Sequence, residues 1–457
     1  MSTARRPAER SPTEGPLAVY HGLLEDARLA EASVEHLRRA QQRQGLAFGD
    51  RPVSIALRPN LLSRERHAAS VAAALAVRSA LDRLERALLA DGALRAQLDL
   101  DPEEERLALA DPGCRSSSSS ARLDSFFAGQ VRYVEYNAES PAGMAYEDKI
   151  AEVFAALPVM RAFRRRYRLR AQPVRARQLA SLLRAFGEWG RAEWPAIAIV
   201  DWSGLPTAAE FEMFRAFFES RGVPTVICDP RQLELRRGRL HADGRAVNLV
   251  YRRILTSELL AAPEAARPLL DAYTSGAACV VNTFRAKLLH KKMSLALLSD
   301  ERNAHLYTPA QRHAIERHVP WTRRVADGST NRHGQTVPDL PLHCAERRQE
   351  LVLKPNDEYG GRGVVLGWTV DQEEWERSLR EAAAQPFVVQ EAVEVPREPF
   401  PMVLDGIELL DLAIDMDPYL FDGRPRGCLT RLSSSALLNV TAGAGSIVPT
   451  FVVEGPA

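Results

Sequence analysis

Three oxygen-bearing side chains and one lysine-bearing glycine segment carry the chemistry of this sequence. Glu135 and Asn137 stand two residues apart in Val134-Glu-Tyr-Asn137, so on a strand both point to one face. Asp124 precedes them by about a dozen residues and supplies a third oxygen from a neighbouring strand or turn. Hard oxygen ligands of this kind suit Mg²⁺, which takes a few from protein and the rest from phosphate and water. Far downstream, Leu351-Val-Leu-Lys354 reads as a strand ending in a lysine. Gly360, Gly361 and Gly363 follow before a second strand begins. Such glycines permit positive φ and let backbone N–H groups approach a phosphate. The segment is no Walker A loop, because no Gly-Lys-Ser/Thr follows. It is no dinucleotide fingerprint either, because no helix follows directly. Simpler descriptions compete: a strand with solvated polar residues for the acids, a hairpin with a surface lysine for the loop. A metal site together with a lysine-bearing glycine loop points to nucleoside triphosphate chemistry.

The elements that must position these groups are legible from periodicity and punctuation. Residues 1–16 read as a disordered tail and residues 17–115 as a helical region, clearest from Arg66 to Leu89, where Val71, Leu75, Val77, Leu81, Leu84 and Leu88 recur near helical spacing. Asp101 to Ser120 reads as a charged, then serine-only surface loop. Residues 116–192 hold the metal-binding strands and two helices, Tyr146 to Leu157 and Val174 to Trp189. Residues 193–283 form a small α/β unit. Ala196–Asp201 and Thr225–Pro230 are its strands, Ala208–Arg221 is the helix between them, and a hairpin turns at Asp243-Gly244. Residues 284–457 alternate strands and helices, including Glu373–Ala384 and Phe387-Val-Val-Gln390-Glu391.

Composition narrows the class. The 457 residues suffice for two or three domains, and 46% hydrophobic with 26% charged residues is ordinary for a globular protein. A formal net charge of +1 gives no bulk attraction to nucleic acid or membrane, so neither is an expected partner. The run Arg161 to Arg170 reads as a solvated helix end. The five cysteines are scattered without a Cys-x-x-Cys pair, and no histidine cluster has zinc spacing. With no apolar leader and no run long enough to span a bilayer, the cytoplasm is the expected address. Oligomeric state is not legible.

Taken together, Arg122-x-Asp124, Glu135-x-Asn137, the segment around Lys287, the Lys354 glycine loop and the closing Arg431…Asn439…Gly443-Ala-Gly445 resemble the ATP-grasp superfamily in its circularly permuted form, in the glutathionylspermidine synthetase-like branch. In the standard order the Glu-x-Asn strand comes last; here it precedes Lys287 by about 150 residues. The resemblance covers about residues 120–455 and departs from the branch in two ways. No Cys/His arrangement for an amidase is present, and the loop reads Glu358-Tyr-Gly-Gly-Arg362-Gly. It implies an α/β (α+β) fold with a pre-ATP-grasp-like α/β domain at 193–283 and nucleotide-binding lobes at 284–457. It further implies that Lys287 and Lys354 hold phosphates under Gly360, Gly361 and Gly363, although Arg285, Lys291 and Lys292 compete with Lys287. The resemblance also implies that Gln390 and Glu391 lie on an adenine-binding hinge strand, although a strand-end carboxylate is usually just solvent-facing. By the same resemblance, Arg122 and Arg431 are expected to act on the reacting carboxyl and phosphoryl groups and Arg252 and Arg253 to face a carboxylate substrate; structural ion pairs or surface arginines are the plainer alternatives. The implied activity is an ADP-forming, ATP-dependent ligase that joins a small-molecule or peptide carboxylate to an amine. The alternative is an inactive nucleotide-binding relative with a binding or regulatory role.

Overall fold

Two runs bearing Phe126, Phe127, Val131, Tyr133, Val134 and Tyr136 are separated by a single glycine. Gly129 takes φ 73°, a left-handed conformation without steric cost for glycine, and the chain folds back as the antiparallel hairpin Ser120–Ala128 and Gln130–Asn137. In the computed structural model, which describes residues 15–49, 51–190, 192–435 and 445–457, two late strands extend this hairpin into a four-stranded antiparallel central sheet. Its order is Arg424–Leu429, Asp417–Phe421, Ser120–Ala128, Gln130–Asn137. A bulge leaves Val134 without a partner, so that Arg122 faces Asn137 and Asp124 faces Glu135 across the strands.

One face of this sheet is apolar. Leu123, Tyr133 and Tyr136 share a core with Ala73, Ala74, Val77, Leu81, Leu84 and Leu88 of the long helix Arg64–Ala90. Each buried leucine contributes about 1.5–3 kcal/mol, and Ser63 caps the helix through a 3.2 Å bond from the Arg66 amide. Leu75 is exposed. With the apolar face covered, the opposite face is left to Arg122, Asp124, Glu135 and Asn137.

A second antiparallel sheet, Thr322–Arg324, Phe387–Glu391, Leu351–Pro355, Val365–Leu366, carries Lys354 and Gln390. A third is wholly parallel: Cys279–Val281, Leu249–Arg252, Ile197–Val200, Thr225–Cys228. The strand–helix–strand expected around Ala208–Ser220 is present. The hairpin at Asp243-Gly244 forms with φ 48° and 74°, the pair of left-handed residues a tight turn requires. The strand Thr450–Pro456 lies parallel to Asn60–Ser63 and antiparallel to Tyr167–Arg170, so early and late segments are joined here as well. The architecture is mixed α/β, as expected.

Two readings need correction. The stretch from Asp101 is not a surface loop: Pro102–Leu109 is a helix, closed by a capping box between Asp101 and Glu104. Ser117 to Ser120 are buried, held where the Thr283 amide donates to the Ser117 carbonyl at 2.9 Å. Serines are small enough to pack beneath other elements, which composition alone did not reveal. The tail expected at 1–16 falls outside the described residues except for Gly15 and Pro16, and Pro16 opens the helix Pro16–Leu23. Asn439 and Gly443 also lie outside the described residues.

Candidate functional site

The polar face of the central sheet is a network of paired charges. Arg122 holds Asp124 with two bonds, Nε to Oδ1 at 2.7 Å and a terminal nitrogen to Oδ2 at 2.9 Å. Asn137 donates to Asp124 Oδ1 at 2.9 Å, and Arg431 reaches Asp124 Oδ2 at 2.9 Å from the first position of the strand Arg431–Ser433, an inner strand of another sheet. Arg431 also binds Asp415 at 2.6 Å and Asp417 at 2.8 Å. Burial raises the cost of charge on Asp124, but Arg122 and Arg431 outweigh it and hold the carboxyl well below its ordinary range. Asp417 goes the other way: burial, then the neighbouring Asp124 and Asp415, push it well up. Within the group of three aspartates and two arginines, the neutral form is thus favoured most at Asp417, the most deeply buried carboxyl.

Lys354 reaches this face from the second sheet. Its ammonium donates to Gln390 Oε1 at 2.6 Å and to the Val134 carbonyl at 3.3 Å, and burial lowers its pKa to about 8 against the partial support of Glu135. Lys292 stands 3.4 Å from Glu135 Oε1 and donates to the Glu358 carbonyl at 2.5 Å. The structure thus gathers Arg122, Asp124, Glu135, Asn137, Lys354, Gln390 and Arg431 into one region. Asp415, Asp417 and Lys292 join them. Asp415-Met-Asp417 has the same two-residue spacing as Glu135-x-Asn137, a signal present in the sequence but unused. Lys292 was among the alternatives to Lys287.

The glycine-containing turn joins Leu351–Pro355 to Val365–Leu366. Gly360, Gly361 and Gly363 all have positive φ, at 67°, 78° and 66°. A Cβ on Gly363 would lie 2.7 Å from Pro355 Cγ, so this position needs glycine for space as well as conformation. Asn356 anchors the start of the turn, accepting from the Met293 amide at 2.9 Å and donating to the Leu98 carbonyl at 2.9 Å.

Lys287 occupies a neighbouring buried cluster. Its ammonium contacts Asp357 at 2.6 Å, Glu139 at 3.3 Å and Glu104 at 3.3 Å. Arg252 pairs with Glu139 at 3.0 Å and Lys291 with Glu104 at 2.8 Å. Glu139, His290 and Asp357 present ligand atoms within 4.8 Å of one another. Yet three carboxylates are already matched by Lys287, Lys291 and Arg252, and the Lys287 ammonium takes the place a metal cation would need. Burial lowers the pKa of the His290 imidazole, against the opposing pull of Glu139.

Arg252 and Arg253 are buried and turned inward. Arg252 binds Glu139 and the Asn282, Thr283 and Ile254 carbonyls. Arg253 donates to the Pro141 carbonyl at 2.7 Å, beside the Ala142 carbonyl that Arg122 holds at 3.0 Å. Both arginines fasten the segment that follows Asn137. Glu391 leaves the Lys354 region and pairs with Arg332 and His333 at 3.0 Å and with Arg132 at 3.5 Å.

The donor set on the polar face fits Mg²⁺ in kind, with carboxylates at Asp124 and Glu135 and an amide at Asn137. Both Asp124 oxygens are engaged by cations and by Asn137 in this state, so binding a metal there means exchanging those partners. Among the described residues no helix is long and apolar enough to cross a membrane.

No family model matches the sequence. The chain is 26% identical over 456 residues to an uncharacterized protein of Mycobacterium leprae, a match taking in 92% of this chain and 77% of that protein. Among solved structures it is similar to the apo form of a glutathione synthetase-like effector from Globodera pallida, with a TM-score of 0.57 and 13% identity over 93% of this chain and 96% of that one. At that identity the likeness is one of fold: the chain has a glutathione synthetase-like, mixed α/β fold.

Proposed function

We propose that this chain is an ATP-dependent ligase that joins a carboxylate to an amine through an acyl phosphate, releasing ADP and phosphate. The observation that carries the reading is the meeting of early acids, Asp124 and Glu135, with late cations, Lys354 and Arg431, on one sheet face. A fold of the glutathione synthetase type supports it.

In this reading Lys354 and Lys292 hold phosphate oxygens, and Lys287 joins them once its carboxylate partner moves. Asp124, Glu135 and Asn137 would hold Mg²⁺, which would neutralise charge on the transferring phosphoryl group. Arg431, whose guanidinium already makes three bonds to Asp415, Asp124 and Asp417, is placed to turn a planar fork toward that group, and Arg122 toward the substrate carboxylate. The substrate carboxylate attacks the γ-phosphorus, the bond to the β-phosphate oxygen breaks, and ADP leaves. An amine then attacks the acyl carbon, the carbon–oxygen bond to phosphate breaks, phosphate departs, and the nitrogen releases its proton to solvent. The protein works by positioning and electrostatics rather than by a covalent nucleophile. The glycine turn excludes water that would hydrolyse the acyl phosphate.

One observation favours a second reading, a nucleotide-binding protein without turnover. Lys287 is fully engaged by three carboxylates. The test separates the two. ADP formation is measured with Mg·ATP and pooled amino acids, peptides and polyamines, for wild type, Asp124→Asn and Glu135→Gln. The ligase reading expects amine-dependent ADP release that both variants abolish while remaining folded. Nucleotide binding without release across the pool supports the second reading, and wild-type-like turnover in both variants ends the metal assignment.

A further inference from the structure

Asp357 opens the glycine-containing turn and has a single ionic partner among the described residues. Its two carboxylate oxygens meet the Lys287 ammonium at 2.7 and 2.6 Å. The other carboxylates around that ammonium have second duties. Glu139 also binds Arg252 and the Thr256 hydroxyl, and Glu104 also binds Lys291. Glu104 belongs to the helix Pro102–Leu109, and Glu139 stands two residues past the end of the strand Gln130–Asn137; both are buried. The Asp357 side chain is 22% exposed and sits in a turn with three left-handed glycines. Its departure strands no other cation, because Lys287 keeps Glu139 and Glu104. Of the three acids, Asp357 is the one built to leave.

We propose that Asp357 is an internal stand-in for a phosphate group: its carboxylate holds the Lys287 ammonium in the ligand-free protein, and a nucleotide phosphate binds by displacing it. This inference rests on the nucleotide-dependent reading above. Carboxylate and phosphate oxygens accept the same charge-assisted bonds from an ammonium, and the phosphate brings the larger charge. Exchange moves the Asp357 carboxylate into water and removes one tie on the turn beyond Asn356, which keeps its own bonds to Met293 and Leu98. Two further contacts hold that turn, Tyr359 to Glu258 at 2.9 Å and Lys292 to the Glu358 carbonyl, so the Asp357–Lys287 pair is one of several ties on the residues that follow Asn356. Asp357 thus sets nucleotide affinity without touching the nucleotide.

The experiment titrates Mg·ATP calorimetrically into the full-length wild type, Asp357→Asn, Lys287→Met and the double variant, with melting curves to verify folding. If the latched state holds about nine molecules in ten, releasing it tightens binding about tenfold, and Asp357→Asn shows that gain. In the Lys287→Met background the same substitution changes affinity by less than about twofold. Hydrogen exchange across 356–363 without nucleotide is faster in Asp357→Asn than in wild type. An Asp357→Asn affinity equal to or weaker than wild type overturns the proposal, and faster exchange alongside that result identifies a purely structural clasp. Absence of any nucleotide binding by wild type is a different failure. It removes the ligase reading and this inference with it, and it is visible before any variant is compared.

Discussion

Replacing Lys354 with methionine should stabilise the protein and destroy its nucleotide affinity at once. The ammonium is half-buried between two sheets, and its two hydrogen-bond partners, Gln390 Oε1 and the Val134 carbonyl, are neutral. Burial lowers its pKa from 10.5 to about 8. At about 1.36 kcal/mol for each tenfold change, that interval corresponds to about 3 kcal/mol, and remaining solvent contact reduces it to about 2 kcal/mol. The sign follows from proton counting. Below pH 8 the lysine is charged in both folded and unfolded chains, and the folded state bears the full cost. Between pH 8 and 10.5 the folded chain has released a proton that the unfolded chain keeps, so stability rises with pH. Methionine removes the charge and leaves Gln390 Oε1 without its donor, a loss of about 1 kcal/mol. The net gain at pH 7 is about 1 kcal/mol. Urea denaturation of wild type and Lys354→Met at pH 7, 8, 9 and 10 checks this: the variant should start higher, and the gap should close as pH climbs. For wild type, nucleotide affinity should also fall up to about tenfold per unit above pH 8, because phosphate needs the protonated lysine. A variant less stable at pH 7, with a denaturation curve parallel to wild type at every pH, refutes the reasoning.

Other substitutions divide by mechanism. Asp417→Asn should cost less than about 1 kcal/mol in urea denaturation, because burial already favours the neutral acid there. Asp124→Asn should cost about 3 kcal/mol, because it strands Arg122 and Arg431 beside a neutral amide. Gly363→Ala meets both a φ of 66° and Pro355 Cγ at 2.7 Å, whereas Gly360→Ala meets only its φ of 67° with nothing within 4 Å. Denaturation should therefore show a loss of about 1–2 kcal/mol at Gly360 and a larger one at Gly363. Glu139 is penalised by burial but held low by Lys287 and Arg252. Its stabilisation is present above its ordinary pKa of 4.5 and fades as pH falls below it, so Glu139→Gln should cost about 3 kcal/mol at pH 7 and progressively less in acid.

How far the sequence revealed all this depended on the range of the interaction. Glu135 and Asn137 share a face because strand period is two, and that needs only neighbours. The hairpin at Asp243-Gly244 and the helix Ala208–Ser220 were equally local. The glycine turn was legible because three glycines so close together have few structural reasons to coexist. Burial was not. Arg252 and Arg253 read as exposed cations facing a cleft, yet the structure folds both beneath the segment after Asn137, where carbonyls and Glu139 absorb their charge. Ser117 to Ser120 read as a surface loop for the same reason: polarity predicts exposure only until tertiary packing supplies other partners. Asp415 and Asp417 were overlooked because their meaning lies in Arg431 and in Asp124, which is 307 residues from that arginine.

That long-range pairing bears on how a ligand can bind. In the resting site the acids that would take a metal are tied to cations that would take phosphate: Asp124 to Arg122 and Arg431, Glu135 to Lys292. A metal ion alone would have to strip Asp124 of its arginines and leave them unpaired in a buried place, and breaking such pairs costs about 3–5 kcal/mol. A nucleotide alone would strip the cations and strand the acids. Mg·ATP brings both signs together, so the metal can satisfy the acids while the phosphates satisfy the bases. Each should therefore strengthen the binding of the other, and by linkage to the same extent, with coupling of about 1–3 kcal/mol, or roughly 5- to 150-fold. Calorimetric titration of ATP with and without Mg²⁺, and of Mg²⁺ with and without a non-hydrolysable ATP analogue, measures both sides after correction for Mg·ATP formation in solution. Asp124→Asn should reduce both factors equally. If ATP binds as tightly in a chelator as in Mg²⁺, the ion pairs on this face are fixed scaffolding rather than exchangeable partners, and the metal-binding role of Asp124 and Glu135 falls.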